Sequence, residues 1–107
     1  MKQEALQVMV TFPSRESAES VAKGLVENRL AACVQILGPI DSIYRWQGQI
    51  ESAKEWLCLL KTTREAFEKL ADFVRKQHPY EVPEIIGLPI CQGFPPYMQW
   101  LFQSIEG

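Results

Sequence analysis

Residues Ala5 to Phe12 (Ala-Leu-Gln-Val-Met-Val-Thr-Phe) form a nearly continuous apolar and β-branched run, the pattern of a buried strand. Pro13-Ser14 ends it, with Ser14 placed to cap a helix and Glu16 in the first turn, where negative charge is favoured. Ala18, Val21, Ala22, Leu25 and Val26 then recur at helical spacing, which predicts an amphipathic helix ending near Asn28. Ala31 to Ile36 begins a second strand, Gly38-Pro39 bends it, and Ile40 to Trp46 continues it. Gln47-Gly48 signals a tight turn, with Gly48 free to take the positive φ such a turn demands. Ile50 to Thr62 runs back, with Trp56, Cys58 and Leu60 on one face and Leu57, Leu59 and Lys61 on the other. Thr62-x-x-Glu65 has the spacing of a capping box for a second helix. That helix carries an apolar stripe of Phe67, Leu70, Ala71 and Val74, and the i,i+4 pairs Glu65/Lys69 and Asp72/Lys76. Glu84 to Cys91 reads as a last strand and Pro96 to Ile105 as a closing helix. Residues 1–107 are therefore expected to form one domain of order β-α-β-β-α-β plus a helix. This is the ferredoxin-like α+β sandwich, a four-stranded antiparallel sheet with two helices on one face.

The central hairpin is too long for such a domain. Arms on the order of 13–16 residues span roughly 40–50 Å at about 3.3 Å per residue, whereas a compact chain of this size measures about 34 Å across. A protruding hairpin leaves Trp46 and Ile50 in water and its edges unpaired, which proteins avoid. The overhang is expected to pair with another subunit. The closing helix points the same way: Tyr97, Trp100 and Leu101 make one apolar face and Met98, Phe102 and Ile105 a second, so both its sides call for cover. Closed symmetry then requires equivalent surfaces on every copy.

Composition removes several function classes. Eleven Lys and Arg against thirteen Asp and Glu give a net charge of −2 with the basic residues scattered, so no phosphate-tracking stripe exists and nucleic acid is not an expected partner. No apolar run approaches the roughly 20 residues that cross a bilayer, so no membrane partner is expected. The N-terminus lacks a signal-peptide pattern. Cys33, Cys58 and Cys91 are three, widely spaced and without Cys-x-x-Cys, so they are expected to be buried hydrophobes in a reduced, cytoplasmic protein. No triad spacing, paired acid and base, glycine-rich phosphate loop or cofactor fingerprint occurs, so no enzyme activity and no organic cofactor are expected.

Candidate chemistry concentrates in His78-Pro79-Tyr80-Glu81-Val82-Pro83-Glu84, which holds the only histidine, two prolines and two carboxylates. The prolines push His78 and Val82 toward extended backbone, so a helix arriving there stops.

This loop, with Leu30-Ala31-Ala32-Cys33-Val34, Ser42-Ile43-Tyr44-Arg45-Trp46-Gln47-Gly48-Gln49-Ile50, Lys61-Thr62, Pro89-Ile90 and Tyr97-x-x-Trp100, closely resembles the CutA divalent-cation tolerance family, from roughly Val8 to Leu101. The resemblance implies a ferredoxin-like subunit in a tight homotrimer, similar in architecture to the PII signalling proteins, with clefts between subunits. It also implies a non-enzymatic role in tolerance to copper and other divalent metals. In members proposed to bind copper, a cysteine near the end of the first strand and a His-His pair before the Pro-Tyr are the proposed ligands. The corresponding positions here are Val10 and Gln77-His78, which leaves one imidazole of that design.

Two site readings follow. In the first, His78 with the nearby carboxylates Glu81 and Glu84 binds copper or another divalent cation weakly, since one imidazole needs partners. The alternative to ligation for His78 is a helix-terminal role, with its polar edge on last-turn carbonyls and its charged form favoured by the helix dipole. In the second, Tyr44, Trp46, Lys61, Tyr80 and Glu84 line an inter-subunit pocket for a small charged metabolite, as in a PII-like signalling module. The competing view of these aromatic residues is plain interface packing.

Overall fold

The structure, a computed structural model, describes residues 3–106. It contains β1 (Ala5–Phe12), α1 (Arg15–Glu27), β2 (Cys33–Trp46), β3 (Gln49–Thr63), α2 (Phe67–Gln77), β4 (Ile85–Pro89) and α3 (Pro95–Glu106). The four strands form one sheet in the order β2-β3-β1-β4, with every neighbouring pair antiparallel.

Strand alternation sends Leu6, Val8, Val10 and Phe12 of β1, and Cys58 and Leu60 of β3, to the face where α1 and α2 pack. Ala18, Val21 and Leu25 of α1 and Leu70 and Val74 of α2 complete this core, and Val8, Val10, Leu70 and Val74 are wholly shielded from solvent. The Ser14 hydroxyl accepts the Ser17 N–H at 3.1 Å and caps α1 as expected.

α2 starts differently from the predicted capping box. Its first turn is not capped by Thr62 and Glu65: the Thr62 hydroxyl donates to the Leu30 carbonyl at 2.7 Å, and the Thr63 hydroxyl accepts the Ala66 N–H at 3.2 Å. Thr62 is wholly buried and already committed across the β2–α1 junction, so it is not free to cap; the Thr63 bond closes the turn before α2, whose N-cap, Ala66, offers no side-chain hydrogen bond. Because α2 starts at Phe67, Glu65 lies in the preceding turn and its pairing with Lys69 is not among the ion pairs of the described residues. Asp72 does bind Lys76 at 3.0 Å, and also Arg75 at 2.7 Å.

The hairpin has the length anticipated, with strands of 14 and 15 residues, and the molecule measures 46 Å along its longest axis against 25 and 22 Å across. Gln47 and Gly48 both have positive φ, 49° and 79°, the pairing a two-residue primed turn requires. The bend at Gly38-Pro39 is a register shift between Leu37 and Ile40. There the Trp56 indole comes so close that a Cβ on Gly38 would stand 2.5 Å from its Cδ1.

α3 lies against the opposite face of the sheet. Leu101, wholly buried, packs with Ala5 and Ala32, supported by Ile90, Met98, Phe102 and Ile105. Leu101 thus belongs with the docked face, while Tyr97 and Trp100, expected beside it, stay outside with their rings 5.4 Å apart. The helix covers only the end of that face. Leu37, Ile86 and Leu88 remain about half exposed, and on the hairpin Ile43, Trp46 and Ile50 are 73%, 58% and 70% exposed.

The expected burial holds for one cysteine of three. Cys58 is buried, which pushes its thiol up to about 11. Cys33 is half-buried, and Cys91 is exposed because β4 stops at Pro89, short of the predicted end.

Candidate functional site

α2 ends as its sequence requires. His78 takes φ −81° and ψ 138°, extended, because the Pro79 ring disfavours helical backbone in the residue before it. This turns the imidazole inward rather than onto the last helical carbonyls. It is 8% exposed and stacks on Phe12, ring centroids 4.5 Å apart and planes at 21°. Nε2 lies 2.7 Å from the Thr11 carbonyl oxygen, and the Tyr80 N–H donates to Nδ1 at 3.0 Å. A carbonyl only accepts and an amide N–H only donates, so the ring is the neutral Nε2–H tautomer. Burial holds the imidazole pKa below its usual 6.5, against the opposing pull of the Thr11 carbonyl and the Glu55 charge. The helix-terminal role expected for His78 is therefore replaced by a bond to β1, and the charged form is disfavoured rather than favoured.

The partly buried Tyr80 extends the chain of contacts. Its ring centroid is 4.9 Å from that of His78, and its hydroxyl donates to Glu55 Oε2 at 2.7 Å. Burial first, and then that hydrogen bond and the Glu55 charge, push the phenol up to about 12. Tyr44 is the smallest contributor to the same upward shift. Glu55 completes the group at 7% exposure, and sequence reasoning missed it. The signal was present: Glu55 sits in the alternation Ala53, Leu57, Leu59, where a carboxylate interrupts an apolar series.

The other candidates are dispersed within one chain. Lys61 sits opposite Cys33 and Gln7, with Nζ donating to Gln35 Oε1 at 3.3 Å. It is six residues along β3 from Glu55, about 20 Å at ~3.3 Å per residue. Trp46 is at the hairpin tip, opposite Gln49. Glu81 and Glu84 are exposed and take no part in the hydrogen bonds or ion pairs of the described residues.

A resident copper or zinc ion does not fit His78 in this arrangement, because neither ring nitrogen has a free lone pair. Among the described residues no group of three His, Cys, Asp or Glu side chains is close enough to hold a metal. No helix among them is long and apolar enough to cross a membrane.

Comparison with known proteins supplies the family. The model of the CutA1 divalent ion tolerance protein matches residues 6–104. The divalent-cation tolerance protein CutA of Thermus thermophilus is 53% identical over 97 residues, covering 91% of this chain and 94% of that protein. Protein CutA of Homo sapiens is 48% identical over 97 residues, 91% of this chain but 54% of the human protein. The crystal structure of CutA1 from Shewanella sp. SIB1 superposes with a TM-score of 0.94 at 38% identity over 100% of both chains. Relatives differ in stated compartment, chloroplastic in Arabidopsis thaliana and periplasmic in Archaeoglobus fulgidus. The family name describes tolerance to ions and not a catalysed reaction. With a match spanning all four strands and reaching into α3, the chain belongs to the CutA1 divalent ion tolerance family.

Proposed function

We propose that this chain is the ferredoxin-like subunit of a PII-like homotrimer that serves divalent-cation tolerance without catalysing a reaction. The observation that carries the reading is the uncovered apolar surface: Ile43, Trp46 and Ile50 on the hairpin and Ile86 and Leu88 on the sheet face that α3 leaves bare. Neighbouring copies are the natural cover, since one symmetric arrangement shields all of these at once. Cation binding is weak in this reading, with a Kd of about 10⁻⁴ to 10⁻³ M as for loosely built oxygen sites. It falls to the exposed carboxylates Glu81 and Glu84, repeated by symmetry. Copper rests on the family resemblance alone. A reduced, cytoplasmic setting agrees with three free thiols among the described residues.

The second reading, a pocket for a small metabolite between subunits, draws support from the Tyr80–Glu55 hydrogen bond, beside which Tyr44 exerts a small electrostatic effect on the phenol. Trp46 and Lys61 would join them from neighbouring copies, while Glu84 lies four residues along the chain from Tyr80. Titration calorimetry on untagged protein with copper, zinc, manganese and adenine nucleotides tests both. The first reading predicts weak cation heats that diminish in the Glu81→Gln/Glu84→Gln variant. Absence of any cation heat contradicts it, and tight nucleotide binding favours the second.

A further inference from the structure

We infer that His78 is the pin that closes the 78–84 loop onto β1 and sets Tyr80 against Glu55, and that it is not a metal ligand in this protein. The family's name makes a metal the obvious partner for the only imidazole in the chain, so the geometry and that expectation disagree.

The β1–β4 ladder ends at Val10 and Ile85, and Thr11 lies one residue beyond it. His78 Nε2 takes up the Thr11 carbonyl at that point, 2.7 Å away. On the other side of the ring, Nδ1 receives the N–H of Tyr80, two residues downstream. Asn and Asp side chains close turns in this way; here an imidazole does so across Pro79, whose fixed φ limits the alternatives. The loop is thereby tied to β1, through Tyr80 and Glu55 to β3, and through the Phe12 stack to the core. Coordination at Nδ1 would break the turn. Coordination at Nε2 would strip the proton that the Thr11 carbonyl accepts. Either way a polar backbone group at a buried ring loses its partner, and among the described residues no group of three His, Cys, Asp or Glu side chains is placed to compensate.

The test uses the native, nitrogen-15-labelled protein, in which a single histidine gives unambiguous ring signals. Long-range proton–nitrogen spectra at pH 7.5 are expected to show Nε2 protonated and Nδ1 as a hydrogen-bonded acceptor, and neither moves when zinc is added in excess. A zinc-induced shift at either ring nitrogen overturns the inference, as does the Nδ1–H tautomer. Two variants separate pin from packing through amide exchange at Tyr80. His78→Phe keeps the stack on Phe12 but loses both hydrogen bonds, and exchange at Tyr80 is expected to accelerate by on the order of tenfold, the scale of one lost hydrogen bond. His78→Asn restores the acceptor and is expected to exchange like the parent. Equal exchange in the two variants contradicts the role of a pin; should neither fold, the spectra of the unaltered protein decide alone. The functional reading is tested apart from this, since a protein that bound no cation would still display its tautomer.

Discussion

The two faces of the sheet are built from similar side chains and have different fates. On the helix side Val8, Val10, Cys58 and Leu60 are at most 1% exposed, because α1 and α2 supply a matching apolar layer. On the other side α3 covers the end at Ala5 and Ala32, while Leu37, Ile86 and Leu88 stay about half exposed. The first face is finished by the chain itself, and the second is left partly open. Burial is worth about 25 cal/mol per Å² of apolar surface, so the bare face and hairpin hold a driving force for association that the helix side has already used.

That contrast can be broken by substitution. Leu60→Ala, at a position 1% exposed, is expected to cost about 2–5 kcal/mol by the cavity it leaves, read as a lower denaturant midpoint with an unchanged slope. A loss well under 1 kcal/mol would mean that the helix-side core is looser than its burial implies. Leu88→Glu sits on the bare face. It is expected to split the proposed trimer, seen by sedimentation, while far-UV circular dichroism of the separated chain stays that of the parent. If instead the mass is kept, the bare face is not the interface.

Smaller effects sharpen the account of the loop. Tyr80→Phe leaves the Glu55 carboxylate, 7% exposed, without its phenol partner, at an expected cost of about 1–3 kcal/mol in chemical denaturation. No change there would detach the loop from the hairpin. The pH dependence follows from His78. Its folded pKa lies below 6.5 chiefly through burial, so the unfolded chain binds the proton first as pH falls. The contribution of the neutral ring is whole above pH 6.5 and is lost from there down toward the folded pKa. Denaturant titrations at pH 7.5 and 5.5 should therefore differ more for the parent than for His78→Asn, which cannot titrate in that window.

Most of the architecture was legible in the sequence because it depends on local pattern: period-2 runs in β1 and β3, helical spacing in α1 and α2, and the Gln47-Gly48 turn between overlong arms. What escaped depends on contacts between distant residues. His78 meets Thr11 across 67 positions and Tyr80 meets Glu55 across 25, so neither the imidazole's tautomer nor the buried carboxylate could be read from spacing. The capping box expected at α2 is absent because the Leu30 carbonyl takes the Thr62 hydroxyl. The rotation of α3 escaped for a related reason: a helix apolar on two sides does not say which side meets its own sheet.

The central claim is that one chain leaves a face and a hairpin for its copies to cover. Light scattering coupled to size exclusion, on untagged protein diluted to the lowest readable concentration, measures this directly. The account predicts a species of three times the 12.3 kDa of one chain, persisting on dilution. A folded species of 12.3 kDa with native circular dichroism would contradict it.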